Sequence, residues 1–163
     1  MGNTIHLWLA DSGGTPIKGS STVEGRVGSI ELISQDHSLF LPTDDHTGKV
    51  TGTRRHEPFA FTKKIDASSP YLYKAVTSGQ TLKSAEFKWY CVNEAGNEAE
   101  YFITKLEDVK VVKVASKMHD IKDPDNKMQT YLEHVELSYE NILWTFVEGK
   151  IEHEDSWSQR TKV

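Results

Sequence analysis

One cysteine, Cys91, stands in the 163 residues, so no disulfide can close within the chain, and the cysteine clusters of structural zinc sites are excluded. Cys91 itself reads as a small packing residue. The sequence also lacks an apolar run long enough to span a membrane, so membrane insertion is not expected. Its opening, MGNTIHLWLADSGG, has neither the basic start nor the unbroken apolar core of a secretory signal. His6 occupies the place where a myristoylation signal needs Ser or Thr, which makes Gly2 a poor acylation candidate. The expectation is cytoplasmic folding and, if the protein leaves the cell, export by a dedicated machine without a cleaved leader. A basic stripe is missing too: 19 Lys and Arg are interleaved with 24 Asp and Glu for a net charge of −5, which argues against nucleic acid as a partner.

Catalytic motifs are equally scarce. The segment GTPIKGS, Gly14 to Ser20, spaces two glycines like a phosphate loop, but Lys18 precedes the second glycine instead of following it. Asp123 and Asp125 stand at calcium-loop spacing, yet Lys127 and Met128 fill the positions that need a ligand and a glycine. His37, His46 and His56 lie too far apart for common zinc motifs, and there is no Gly-x-Ser-x-Gly elbow or His-Glu-x-x-His pair. No enzyme activity, metal or cofactor is expected.

What the chain does have is strand patterning. With 37% hydrophobic and 26% charged residues, it reads as a single domain over 1–163, folding with burial of roughly 70% of its surface. Ile5, Leu7 and Leu9 alternate with His6, Trp8 and Ala10, the two-residue period of a strand. A second strand is expected from about Val27 to His37, with Leu39 to Leu41 extended, and a third through Phe59, Phe61 and Ile65. Ala85, Phe87, Trp89 and Cys91 alternate, turn around Gly96, and resume at Tyr101 and Ile103, which is a hairpin whose second arm continues to Val114 or starts a new strand. Tyr131, Val135, Leu137 and Tyr139 share one face, with Glu133, Glu136 and Ser138 polar. Glu140 and Asn141 read as a tight turn into Ile142, Trp144 and Phe146, and Glu148-Gly149 as a turn into Lys150 to Glu154.

One helix is expected, from Pro70 to Ser78: Asp66, Ser68 or Ser69 offers a cap, Pro70 suits the first position, Gly79 ends it, and Leu72, Ala75 and Val76 share a face. The whole is mainly β, a barrel or sandwich.

Residues 42–55, PTDDHTGKVTGTRR, carry almost no apolar side chain and form the longest candidate loop. Such a segment stays at the surface, because its backbone polar groups need water or another chain. Pro42, Asp44, Asp45, His46, Lys49, Arg54 and Arg55 are therefore the candidate contacts to another chain, a neighbouring copy included.

Four blocks follow one another in a distinctive order: HEPFAFTKKIDASSPYLYKAVTSG (His56 to Gly79), EFKWYCVNEAGNEAEYF (Glu86 to Phe102), HVELSYENILWTF (His134 to Phe146) and HEDSW (His153 to Trp157). With the N-terminal run they resemble, over nearly the whole chain, the Hcp family of type VI secretion tube proteins. The resemblance implies a small β-barrel of two packed sheets with one short side helix and a long extended loop. It further implies six copies closing into a ring, rings stacking into a tube driven by a contractile sheath behind a VgrG spike, and a bore that holds small effectors. Departures are Cys91, where a polar or basic residue is usual, and Glu148-Gly149 in place of Asp-Gly. The alternatives are a monomeric ligand-binding barrel using Trp89 or Trp144 as a stacking platform, and a hydrolase or metal enzyme using His37 and His46.

Overall fold

The computed structural model describes residues 3–126 and 130–157. In chain order its elements are β1 (Thr4–Ala10), β2 (Pro16–Ile17), β3 (Ile30–Asp36), β4 (Leu39–Phe40), β5 (Arg55–His56), β6 (Phe59–Lys64), α1 (Ser69–Ser78), β7 (Thr81–Val92) and β8 (Glu98–Lys117). A short 3-10 turn at Pro124–Asn126, then β9 (Leu132–Ser138), β10 (Asn141–Phe146) and β11 (Ile151–Ser156), complete them. Lys127 and Met128 of the rejected calcium reading, and Gly2, lie outside the described residues.

One nine-stranded sheet runs β11-β10-β8-β7-β1-β3-β6-β9, with β2 beside β1, and a further pairing of β8 with β9 closes a ring of six strands. The two packed faces of the expected barrel are thus opposite walls of one continuous sheet. Closure of this kind removes the free edges that open sheets expose. Long β8 makes it possible: it pairs with β7 over most of its length, and its other side takes β10 along Phe102 to Glu107 and β9 from Lys110 onward. Asp108, at a left-handed φ of 52°, lies between these two pairings.

The alternation read in the sequence fills the interior. Leu7, Phe59, Phe61, Leu82, Phe87, Leu106, Leu137 and Ile142 are fully buried. Phe59 stacks on Phe87 at 4.1 Å between ring centres, while Phe61 meets Phe87 edge-on. Trp89 and Trp144, partly buried, pack against this core. On the other face of β1, His6 is buried beneath the segment that precedes β3, bonded through Nδ1 to the Ser29 hydroxyl at 2.8 Å.

The helix forms where its punctuation placed it. Asp66 organises the approach by accepting the Ser68 amide at 2.8 Å and the Ser68 hydroxyl, and Gly79 closes the helix at φ 68°. Leu72 and Ala75 face the core.

Four readings need correction. Ile65 is exposed, and the inward position of that strand belongs to Lys63. Glu133, assigned to the polar face, is fully buried beside Lys63, while Tyr131, assigned to the apolar face, is exposed at the strand's beginning. Glu140-Asn141 is not a reversal: Ser138 pairs with Lys110 and Asn141 with Glu107, so β9 and β10 continue along the same neighbour in one register. Strand β3 begins at Ile30 rather than Val27, because Gly28, at φ 83°, and a Ser29 bond back to Arg26 hold the preceding residues in a turn.

Candidate functional site

Residues 38–57 form an ordered hairpin arm rather than a structureless loop. Its base is the pair of strands β4 and β5, in which Leu39 opposes His56 and Phe40 opposes Arg55. Further out, Thr51 donates its amide to the Pro42 carbonyl at 2.8 Å and Thr43 bridges Val50. The tip is a turn built on Asp44, whose carboxylate accepts the amides of His46 and Thr47, both at 2.8 Å. Those two backbone bonds hold the Asp44 carboxyl below its ordinary range. Gly48, at φ 71°, supplies the left-handed turn residue.

The arm's exposed residues are less polar than expected from 42–55 alone. Leu39, Phe40, Leu41 and Val50 are 37%, 44%, 55% and 59% exposed, so the arm carries an apolar surface from base to mid-length. Asp45, His46, Lys49 and Arg55 stand exposed on it, and Pro42 is half-buried. Arg54 is committed within the chain: its guanidinium grips Asp155 of β11 at 2.5 and 2.8 Å and the Ser156 carbonyl at 2.7 Å.

At the arm's feet the structure assembles a chain of polar groups. His37 Nε2 lies 2.8 Å from the Tyr139 hydroxyl, that hydroxyl 2.7 Å from His56 Nδ1, and His56 Nε2 2.7 Å from Asp155. Phe59 lies under His37 and Trp157 stands edge-on to His56. Burial, aided by the nearby His56, pushes the His37 imidazole down to about 4, and burial pushes the Tyr139 hydroxyl up. Burial would raise Asp155, but the bonds from Arg54 and His56 outweigh it and hold the carboxyl below its ordinary value. The blocks that begin at His56 and contain Asp155 and Trp157 were visible in the sequence; that they meet was not, since 99 positions separate His56 from Asp155.

His37 and His46, the pair a metal enzyme would need, stand at the arm's foot and tip respectively, and among the described residues no group of three or more His, Cys, Asp or Glu side chains could hold a metal ion. Elsewhere the charged residues pair across strands: Lys88 of β7 lies 3.1 Å from Glu100 of β8, and Lys113 lies 3.6 Å from Glu136.

The family model described as the type VI secretion system effector Hcp matches residues 7–146. The chain is 35% identical over 139 residues to the major exported protein of Pseudomonas aeruginosa, covering 85% of this chain and 81% of that protein. Among solved structures it is similar to the Hcp1 protein of E. coli EAEC 042, in a mutant form, with 60% identity, a TM-score of 0.86 and coverage of 94% and 98% of the two chains. A second Hcp protein superposes with a TM-score of 0.88 at 26% identity, covering 97% and 99%. A six-stranded closed barrel, one side helix, a protruding arm and a family match over most of the chain lead to one conclusion: this chain belongs to the Hcp family and is a tube protein of the type VI secretion system.

Proposed function

We propose that six copies close into a ring, that rings stack into a tube, and that the arm is the contact between subunits or between rings. One observation carries this: a hairpin whose shape is fixed by its own hydrogen bonds presents Leu39, Phe40, Leu41 and Val50 to solvent. An apolar surface of this kind is stable in water only at a cost that association removes. A ring requires two different faces on each subunit, one receiving what the other presents, and an arm on one side of a barrel meets that requirement.

The role is structural, without catalysis. The tube is exported behind a VgrG spike by a contractile sheath, and small effectors travel in its bore. Lys88, Glu100 and Glu136, on strand faces turned from the core, are the residues proposed to line that bore in part. Export proceeds without N-terminal processing. Mass spectrometry of culture supernatant from a type VI-active strain tests this: the expected species starts at Met1 or Gly2 and disappears when the sheath is deleted. A shortened N-terminus, or secretion that persists without the sheath, contradicts it.

A further inference from the structure

The hydrogens in the chain of groups at the arm's feet can be placed. A carboxylate only accepts, so His56 carries its hydrogen on Nε2, toward Asp155. In the neutral ring Nδ1 is then an acceptor, and Tyr139 donates its hydroxyl hydrogen there. The Tyr139 oxygen in turn accepts from His37, which fixes that ring's hydrogen on Nε2. Every bond from His37 to Asp155 is made, and all run in one direction.

One added proton can be absorbed by reversal. With His56 charged, its Nδ1 donates to the Tyr139 oxygen, and Tyr139 donates to His37, whose hydrogen moves to Nδ1. A second proton has no place. Both rings would then donate to Tyr139, the tyrosine hydrogen would face no acceptor within the chain, and two cations would stand on either side of one buried hydroxyl.

His37 and His56 are the two feet of the arm, the first lying two residues before the start of β4 and the second within β5. Facing His37 are Asp36 at the end of β3, Glu57 at the opposite foot, His56 and the Tyr139 hydroxyl. Across a cleft of about 290 Å³ stand His134 and Glu136 of β9. Around His56 are Tyr139, Asp155 with its partner Arg54, and the Trp157 ring.

We infer that the His37–Tyr139–His56 chain is a proton-counting latch on the arm: it stays closed with no proton or one, and the second proton releases the feet from the barrel. The nearby carboxylates Asp36 and Glu57 favour a charged His37, and burial outweighs them, which leaves this ring neutral to about pH 4 while the latch is closed. Once the arm is released and the ring is solvated, His37 returns toward its ordinary value of 6.5. Between these limits release becomes easier by up to about tenfold per pH unit, on the order of a few hundredfold in all. Its consequence for tube assembly rests on the reading of the arm proposed above.

The test is amide hydrogen exchange across residues 37–57 of the full chain from pH 7 to 3.5, corrected for intrinsic rates, alongside nitrogen-15 spectra of the imidazoles. The expected result is Nε2–H on both rings at neutral pH. Arm protection should fall by on the order of a few hundredfold between about pH 6.5 and 4, while amides of β7 and β8 stay protected. Tyr139→Phe should loosen the arm already at pH 7. His37→Gln, which keeps a donor toward Tyr139 but cannot titrate, should hold the arm closed with a flat pH profile. A wild-type arm whose protection does not change with pH, a His37 titrating at its ordinary value, or a His37→Gln profile like wild type overturns the latch. Failure of the arm as an assembly contact would leave the exchange profile unchanged, so the two readings fail separately.

Discussion

Lys63 and Glu133 are register partners on β6 and β9, and their side chains form an ion pair inside the barrel with neither reaching solvent. The Lys63 ammonium also donates to Asp66 at 3.0 Å, Ser69 at 3.2 Å and the Lys64 carbonyl at 3.0 Å, while Ser69 donates to Glu133 at 2.7 Å. These bonds tie two strands to the start of α1, and they give a physical reason for the segment Lys63 to Pro70 that marks the family resemblance. Removing one partner of a buried ion pair is costly, because the other charge is left unpaired in the interior.

Lys63→Met strands Glu133 in the interior. The expected loss is about 3–5 kcal/mol in denaturant unfolding, with much of it recovered in the double variant Lys63→Met/Glu133→Leu. A single variant as stable as wild type would show that the pair does not hold the helix start.

Gly19 has no room for a methyl group: a Cβ would lie 2.6 Å from both the Ile30 side chain and the Ser29 carbonyl oxygen. Gly19→Ala is expected to cost about 1–3 kcal/mol by overpacking, measured by thermal or denaturant unfolding. An unchanged midpoint would show that the segment before β3 shifts freely.

Acid should weaken the fold in two stages. His37 is depressed in the folded state, so the stability it contributes is complete above its ordinary 6.5 and is lost as pH falls toward about 4. Asp66 and Asp155 are held below their ordinary 3.8 in the fold despite burial, by Ser68 and Lys63 in one case and Arg54 and His56 in the other. Their contribution is present above that value and is lost below it. Thermal unfolding followed from pH 7 to 2 should decline in the first window in wild type and decline less in His37→Gln, where the remaining loss comes from His6, whose imidazole burial also holds below its ordinary value. A decline confined to the region below pH 4 would contradict the role given to His37.

The sequence was most legible where one local rule sufficed. Ser68-Ser69-Pro70 and Gly79 bracket the helix, and period-two alternation places Leu7, Leu9, Phe87 and Val135 on the core. It was least legible where a partner far along the chain decides. Lys63 occupies an inward position in its strand, but its charge argues for solvent unless Glu133, 70 positions later, is known to meet it. The same holds for His37, His56 and Asp155: Tyr139 joins the two histidines, and His56 bonds Asp155 directly. Glu140-Asn141 has turn composition, yet β9 and β10 share the unbroken edge of β8, and that pairing overrides local propensity. Arm residues 42–55 were correctly placed outside the core, and their hairpin form depends on cross-strand bonds that composition does not encode.

Replacing residues 43–53 with a short Gly/Ser linker removes the tip and leaves β4 opposite β5. The isolated subunit should unfold at nearly the same temperature, while ring stacking and export weaken. Loss of cooperative unfolding would assign the arm to the fold, and normal assembly and export would exclude it as an interface.

Lys88 and Glu100 pair across β7 and β8, with Glu86 3.6 Å from the same ammonium. Lys88→Glu places like charges together on this face and should impair binding of particular effectors without breaking the ring, whereas the swap Lys88→Glu/Glu100→Lys should restore much of it. Ring loss in both variants would make this face an interface instead of a bore wall.

Light scattering of the purified protein, giving its mass in solution, tests the central claim most directly. A ring-forming tube protein should give about six times the 18.4 kDa chain mass, and a species of single-chain mass at all concentrations would contradict the assembly proposed for this barrel and its arm.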